Sequence, residues 1–253
     1  MKTAKGRRAR RRFTFEGPTL LAEALRSGAR IEELYVTQAA YDASVTLRDL
    51  DAAGIPTFVL DERTAAGISE VETPSGILAV SPVRLRSSRE VMSGEGIVLV
   101  LADLNDPGNA GALLRSAEAF GARGVLFGLR GVEPYHPKLV RAAMGSHFRL
   151  DLGLSDPDDL KAAATAGGFS VVGLTIGGTP LDEMAWPTAC ALVVGHERHG
   201  LGAWAYACDR KAEISMAGPS ESLNAAIAGS IALYEGSRSG RRVGSEPSCQ
   251  ESV

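Results

Sequence analysis

The chain's 253 residues, 45% of them hydrophobic, are enough for a full core in one large or two modest domains, and two are expected. Its most apolar runs, near Ile97 to Ala102 and Ala189 to Val194, fall far short of the roughly 18 residues of a membrane span, so a soluble, cytoplasmic protein without membrane association is expected. Formal net charge is −3, which alone would discourage a nucleic-acid partner, yet residues 1 to 12 carry +7 and everything after them −10, an electrostatic footprint suited to phosphates.

That basic arm holds Lys5, Arg7, Arg8, Arg10, Arg11 and Arg12. A plain solubilising tail explains it as well as RNA contact does. No apolar segment follows it, so no secretory signal is read. Cys190, Cys208 and Cys249 are an odd set without Cys-x-x-Cys spacing, which favours a reducing compartment over a disulfide framework or structural zinc.

From Phe13 the chain turns into a helical pattern, Leu20 to Leu25, ending near Gly28. Strands are then predicted at Glu33–Val36, Thr57–Leu60 and Gly76–Val80, with helices at Tyr41–Ala53 and Glu62–Ile68. This gives a small α/β domain over 13–84, followed by a polar Ser/Gly-rich linker over 85–95. Alternation restarts at Ile97–Ala102 and continues as helix Ala112–Phe120, strand Gly124–Phe127, a helix after Pro137 and a strand near Phe148 to Leu152. Helix Pro157–Ala166, strand Ser170–Leu174, the strand before Gly195 and a helix from Ser222 to about Tyr234 follow. Such βα alternation over 96–236 implies a mostly parallel sheet covered on both faces. Residues 237–253 are polar and expected to be a disordered tail.

Three polar, Gly-rich loops each leave a strand-like run: Asn105 to Arg115, Gly195 to Leu201, and Ile214 to Asn224. Helix N-termini at strand ends collect backbone N–H groups and suit a ligand. Gly200-Leu201-Gly202-Ala203-Trp204-Ala205 fits a dinucleotide pattern, but five residues separate it from the strand end, so a nicotinamide site is rejected. His196 and His199 lack the i, i+4 spacing of a helical metal pair, and no metal is expected. Neither a P-loop nor a Gly-x-Ser-x-Gly elbow occurs. Taken singly, Asn109 and Ser222 read as N-caps and Arg115 as a surface arginine.

Together the loops resemble the three motifs of the SpoU-type (TrmH-like) RNA 2′-O-ribose methyltransferases of the SPOUT superfamily: Asp106 to Gly121, Gly195 to Leu201, and Ile214-Ser215-Met216 through Glu221-Ser222-Leu223-Asn224-Ala225-Ala226. Phe15-Glu16-Gly17, Thr73 to Ala79 and Val140 to Ser146 are similar as well, so the resemblance covers about 13–236. It implies an α/β fold whose C-terminal SPOUT domain combines a parallel sheet with a deep trefoil knot, an exception to the rule that chains avoid knots, plus a small N-terminal α/β substrate-binding domain. It further implies a homodimer binding S-adenosylmethionine through Thr175, Gly195, Glu197, Gly200, Ile214, Met216, Ser222 and Leu223. Asn109, Arg115, Glu197, Ser222 and Asn224 would form the catalytic set. The arm and Arg141 would hold ribosomal or, less readily, transfer RNA.

Two positions depart from the family pattern: His196 stands where a small or amidic residue is usual, and Ser116 where Thr is common. An arginine is a poor proton acceptor, its pKa staying above about 12, so Arg115 is expected to grip a phosphate and not to act as base. The group includes antibiotic-resistance enzymes, a role the sequence leaves open. A non-catalytic RNA-binding factor of the same fold is the rival, distinguished by failure to bind S-adenosylmethionine.

Overall fold

The computed structural model describes residues 3–218 and 222–243; Lys2 of the arm, Pro219 to Glu221 of the third motif and the tail from 244 lie outside the described residues. In chain order the elements are α1 (Ala4–Arg10), β1 (Arg12–Glu16), α2 (Pro18–Arg26), β2 (Glu33–Thr37), α3 (Gln38–Ala43), α4 (Val45–Ala52), β3 (Thr57–Leu60), α5 (Glu62–Ile68) and β4 (Ile77–Pro82). Then come α6 (Ser88–Val91), β5 (Gly96–Leu101), α7 (Pro107–Ala119), β6 (Gly124–Gly128), α8 (Pro137–Ala142), β7 (Asp151–Ser155), α9 (Pro157–Gly167), β8 (Ser170–Pro180), β9 (Ala189–Val194), β10 (Arg210–Glu213) and α10 (Ala225–Val243). Among the described residues no helix is long and apolar enough to cross a membrane. Two compact units form: Met1–Arg84 with Glu133–Arg149, and Leu85–Val132 with Leu150–Val253.

In the first unit, β1-β4-β2-β3 make a mixed sheet. Strand alternation sends Phe13 and Phe15 to one face of β1, where both are buried. The 133–149 excursion supplies ring partners: Tyr135 lies 4.5 Å from Phe13 and Phe148 5.1 Å from Phe15, between centroids. The basic arm is a helix in this unit, capped by the Thr3 side chain. Arg7 is corrected from its expected role in RNA contact: it is 2% exposed and donates through Nε to Glu133 at 2.9 Å. A buried guanidinium needs a partner, and the Glu133 carboxylate supplies one.

His147 in the same excursion is buried and donates from Nε2 to the Pro134 carbonyl at 2.6 Å, while Nδ1 finds no partner. Burial drives its pKa down to about 4, against a smaller upward pull from that carbonyl. The unfolded chain, with an ordinary value near 6.5, therefore binds a proton that the folded one refuses. Stability should rise from about pH 4 to 6.5 and level off above, by roughly 3 kcal/mol. Chemical unfolding of the wild type and His147→Gln across that range tests this; an equally steep slope in both would assign the dependence elsewhere.

The second unit is built on a six-stranded, wholly parallel sheet ordered β10-β8-β9-β5-β6-β7. Both faces of β5 are buried, which is why Ile97 to Ala102 reads as a continuous apolar run. Val98, Val100 and Ala102 share a core with Leu160 and Ala164 of α9 and with Trp204. On the other side α10 packs against α7, β5 and β9. The stretch expected as a linker, 85–95, instead holds α6, closed by a Ser87–Glu90 capping box, with Val91 and Met92 buried in that core. Likewise helix α10 runs through Val243, so residues 237–243 are helical.

Candidate active site

All three polar loops leave C-terminal ends of strands of the one parallel sheet: β5 and β9, which are neighbours, and β10, one strand beyond β9's other neighbour, β8. Strands β5, β6 and β7 extend the sheet one way and β9, β8 and β10 the other, so β5 and β9 flank the topological switch point where open α/β sheets bind ligands. On the β9 side of it, over the ends of β9, β8 and β10, opens a cavity of about 450 Å³, the size range of a small-molecule site. Its wall includes all eight residues expected to hold a cofactor: Thr175, Gly195, Glu197, Gly200, Ile214, Met216, Ser222 and Leu223.

One wall comes from a break in register. Strand β10 pairs with β8 at Lys211↔Gly173 and next at Ala212↔Thr179, so residues 174–178 are skipped by β10. Leu174, Thr175 and Ile176 line the cavity as a result. The opposite loop is drawn tight by two backbone bonds of 2.9 Å between His196 and Gly200. Gly195 is required there, because a Cβ would stand 2.3 Å from the Gly200 carbonyl carbon.

Beside the cavity, side chains from the three loops form one hydrogen-bonded chain. Asp106 caps α7 and accepts the Asn109 N–H at 2.7 Å, which fixes Asn109 on the first turn. Asn109 donates from Nδ2 to Glu197 Oε1 at 3.1 Å, and its Oδ1 accepts from Asn224 Nδ2 at 3.0 Å. Asn224 Oδ1 in turn accepts the Ala226 and Ile227 N–H groups at 2.9 and 3.3 Å, capping α10. The carboxylate–amide–amide order, Glu197 to Asn109 to Asn224, pairs each donor with an acceptor and leaves the second Glu197 oxygen for another partner. His196 also lines the cavity; its Nδ1 accepts the Arg198 N–H at 3.0 Å, and its Nε2 lies 3.0 Å from Asn105 Nδ2.

Arg115 stands apart from this chain, exposed on α7 with no ion pair among the described residues. Of the arm, Lys5, Arg8, Arg10 and Arg11 are exposed, and Arg12 bridges Glu32 and Glu33 at 2.7 and 2.8 Å. Arg141 on α8 is half-buried. Cys190 is buried, which pushes its thiol up to about 12 and makes it a poor nucleophile. The glycines of the rejected dinucleotide pattern start a 3-10 turn, Gly202–Ala207, whose Trp204 fills the core.

One residue that sequence reasoning missed is Asp103. It holds φ at 55°, an uncommon value that Asp tolerates better than most. Its carboxylate accepts from the Arg130 N–H at 3.1 Å and from Trp204 Nε1 at 3.0 Å, tying the first-motif loop to the segment after the second motif. Gly128 makes room, since a Cβ there would lie 2.4 Å from Asp103 Oδ1. Nothing in the local sequence distinguishes this Asp from a turn residue.

Comparison with known proteins places this geometry. A sequence model described as the SpoU rRNA Methylase family matches residues 96–234, and one described as an MRM3-like substrate binding domain matches residues 1–79. The chain is 32% identical over 238 residues to the 23S rRNA (guanosine(2553)-2′-O)-methyltransferase RlmP of Bacillus subtilis, covering 92% of this chain and 91% of that protein. The SpoU methyltransferase AviRb from Streptomyces viridochromogenes, crystallised with AdoMet, has a TM-score of 0.83 at 27% identity, covering 96% of this chain and 95% of that one. An AdoMet-bound rRNA methyltransferase from Sinorhizobium meliloti gives 0.82 at 29% identity, covering 94% and 91%. The cavity and the three polar loops thus sit within the matched segment, and the chain belongs to the SpoU rRNA methylase family.

Proposed function

We propose that this protein transfers a methyl group from S-adenosylmethionine to a ribose 2′-hydroxyl of RNA, ribosomal RNA in preference to transfer RNA, as a cytoplasmic homodimer. The observation that carries the reading is the cavity over the ends of β9, β8 and β10 together with the Glu197–Asn109–Asn224 chain beside it. The residues fit the cofactor. Leu174, Ile214, Met216 and Leu223 offer apolar wall, and Gly195 and Gly200 leave backbone groups accessible. The cofactor supplies an electrophilic methyl group. The protein's own task is then positional: an in-line displacement needs the hydroxyl oxygen held beside the methyl carbon with water excluded.

In this reading Glu197 and Asn109, mutually bonded, orient the donor and acceptor groups, and Ser222 contributes a hydroxyl from the wall. Arg115 grips a substrate phosphate through its planar fork and stabilises the charge that develops on the oxygen. Arg115→Lys keeps the charge but loses the fork, so the methylation rate should fall about tenfold or more with S-adenosylmethionine affinity unchanged. An unaltered rate would remove the bidentate role.

The deep knot is part of the same proposal, supported by the return of α10 to β5, β9 and α7 after β10. Homodimer formation is supported by Ile227, Ile231 and Tyr234, exposed at i, i+4 and i+7 along α10, an apolar stripe suited to a second copy. The Lys5, Arg8, Arg10 and Arg11 side chains are the arm's available phosphate ligands. Mapping of 2′-O-methyl groups on RNA from cells lacking and carrying the protein tests the activity. A site that appears only with the protein is expected; identical maps would favour the non-catalytic RNA-binding factor.

A further inference from the structure

An exposed aromatic pair in the first unit lies outside everything assigned above. Tyr35 of β2 and Phe58 of β3 are register partners, and their rings stack at 5.1 Å with an interplanar angle of 21°. Strand β3 is the edge of its sheet, and Phe58 is 47% exposed. A cross-strand pair of this kind stabilises a sheet modestly, but a half-exposed phenyl on an open edge is also a liability for self-pairing. Its surroundings are not apolar. The Tyr35 hydroxyl donates to Glu33 at 2.8 Å, which raises its pKa, while the positive charges of Arg12 and Arg10 reach it and act the other way. Arg12 is held by Glu32 and Glu33, whereas Arg10, exposed in the last turn of α1, has no carboxylate partner among the described residues.

We infer that Tyr35 and Phe58 form a stacking platform for an unpaired nucleobase of the RNA substrate, with Arg10 on a neighbouring phosphate. The inference rests on the reading that this unit holds RNA, which the substrate-binding family match over 1–79 supports. A π-face flanked by a free guanidinium is the combination by which proteins hold single-stranded RNA, bases stacking on aromatic rings while cations follow the backbone. A protein partner would bury the ring equally well, but it would not call for the exposed Arg8, Arg10 and Arg11 of the arm. Duplex RNA hides its base faces and gives such a platform nothing to stack.

The test uses the full chain and a fluorescein-labelled single-stranded oligoribonucleotide, alone and annealed to its complement, read by anisotropy. Phe58→Leu keeps an apolar side chain on the edge strand and loses the ring. It should weaken single-strand binding about tenfold, within the range of one lost base stack, and leave duplex binding and S-adenosylmethionine affinity unchanged. Phe58→Trp should bind at least as well as wild type. Arg10→Ala should lower the slope of log affinity against log salt by about 0.7, the value for one phosphate contact on a single strand, while Phe58→Leu leaves that slope alone. Wild-type binding that Phe58→Leu does not change overturns the platform and leaves the RNA reading standing. Absence of binding by every form overturns both.

Discussion

Gly195→Ala should abolish useful cofactor affinity while leaving the protein folded. The added methyl would stand 2.3 Å from the Gly200 carbonyl carbon and 2.7 Å from the Leu201 nitrogen, both backbone atoms that no rotamer change can move aside. The loop must open, breaking the paired His196–Gly200 bonds that shape the cavity wall. Over-packing of this kind costs up to about 3 kcal/mol. Directed into the wall of one site, that corresponds to about a hundredfold weaker binding of S-adenosylmethionine by calorimetry. The sheet beneath is untouched, so the far-ultraviolet dichroism should match wild type. Affinity within a few-fold of wild type would mean that the ligand does not rest on this loop.

Asn109→Asp is expected to have a comparable effect on the rate and little on cofactor affinity. The change replaces the amide that donates to Glu197 at 3.1 Å with a carboxylate, while keeping the oxygen that accepts from Asn224. Two carboxylates at that separation cannot both ionise at low cost, so one pKa rises and the Glu197 side chain is pushed from its position. Loss of a preorganised donor typically lowers kcat by about 10² to 10³. Because the protonated carboxyl can donate as the amide did, the variant should recover part of its rate as pH is lowered toward about 5. Asn109→Ala, which carries no proton to share, should be slow at every pH. Equal pH profiles for the two variants would show that the Asn109–Glu197 bond is not what sets the rate.

Much of this architecture was legible in the residues. The parallel sheet followed from apolar runs such as Ile97 to Ala102, continuous because both faces are covered, and β3 and α5 keep their predicted bounds at 57–60 and 62–68. What escaped notice depended on distant partners or on local breaks. The helix predicted over Tyr41–Ala53 is two helices, because Ser44 ends α3 and its side chain caps α4 at Leu47. Serine competes for backbone hydrogen bonds and favours such junctions. Strand β8 continues to Pro180 through Gly177 and Gly178, residues that read as loop and are tolerated because β10 skips that stretch. The arm's run of like charges hid a helix, and the burial of Arg7 was invisible because Glu133 lies 126 residues away. At the site, motif resemblance reached the cavity residues, whereas Asp103 acts through a backbone angle and two long-range donors that no spacing encodes.

The cap of α10 has a bearing on how the protein comes to life. Asn224 both terminates the helix and bonds to Asn109, 115 residues earlier, and within that span Asn109 reaches forward 88 residues to Glu197. Contacts of such sequence separation form late, after shorter loops have closed. Competence should therefore lag behind bulk refolding: helical signal returns first, and ligand binding waits for the last helix to dock. A nascent chain not yet elongated past Asn224 has its sheet strands in hand but an unfinished hydrogen-bonded chain beside the cavity, so the cluster is complete only once α10 has been made and docked.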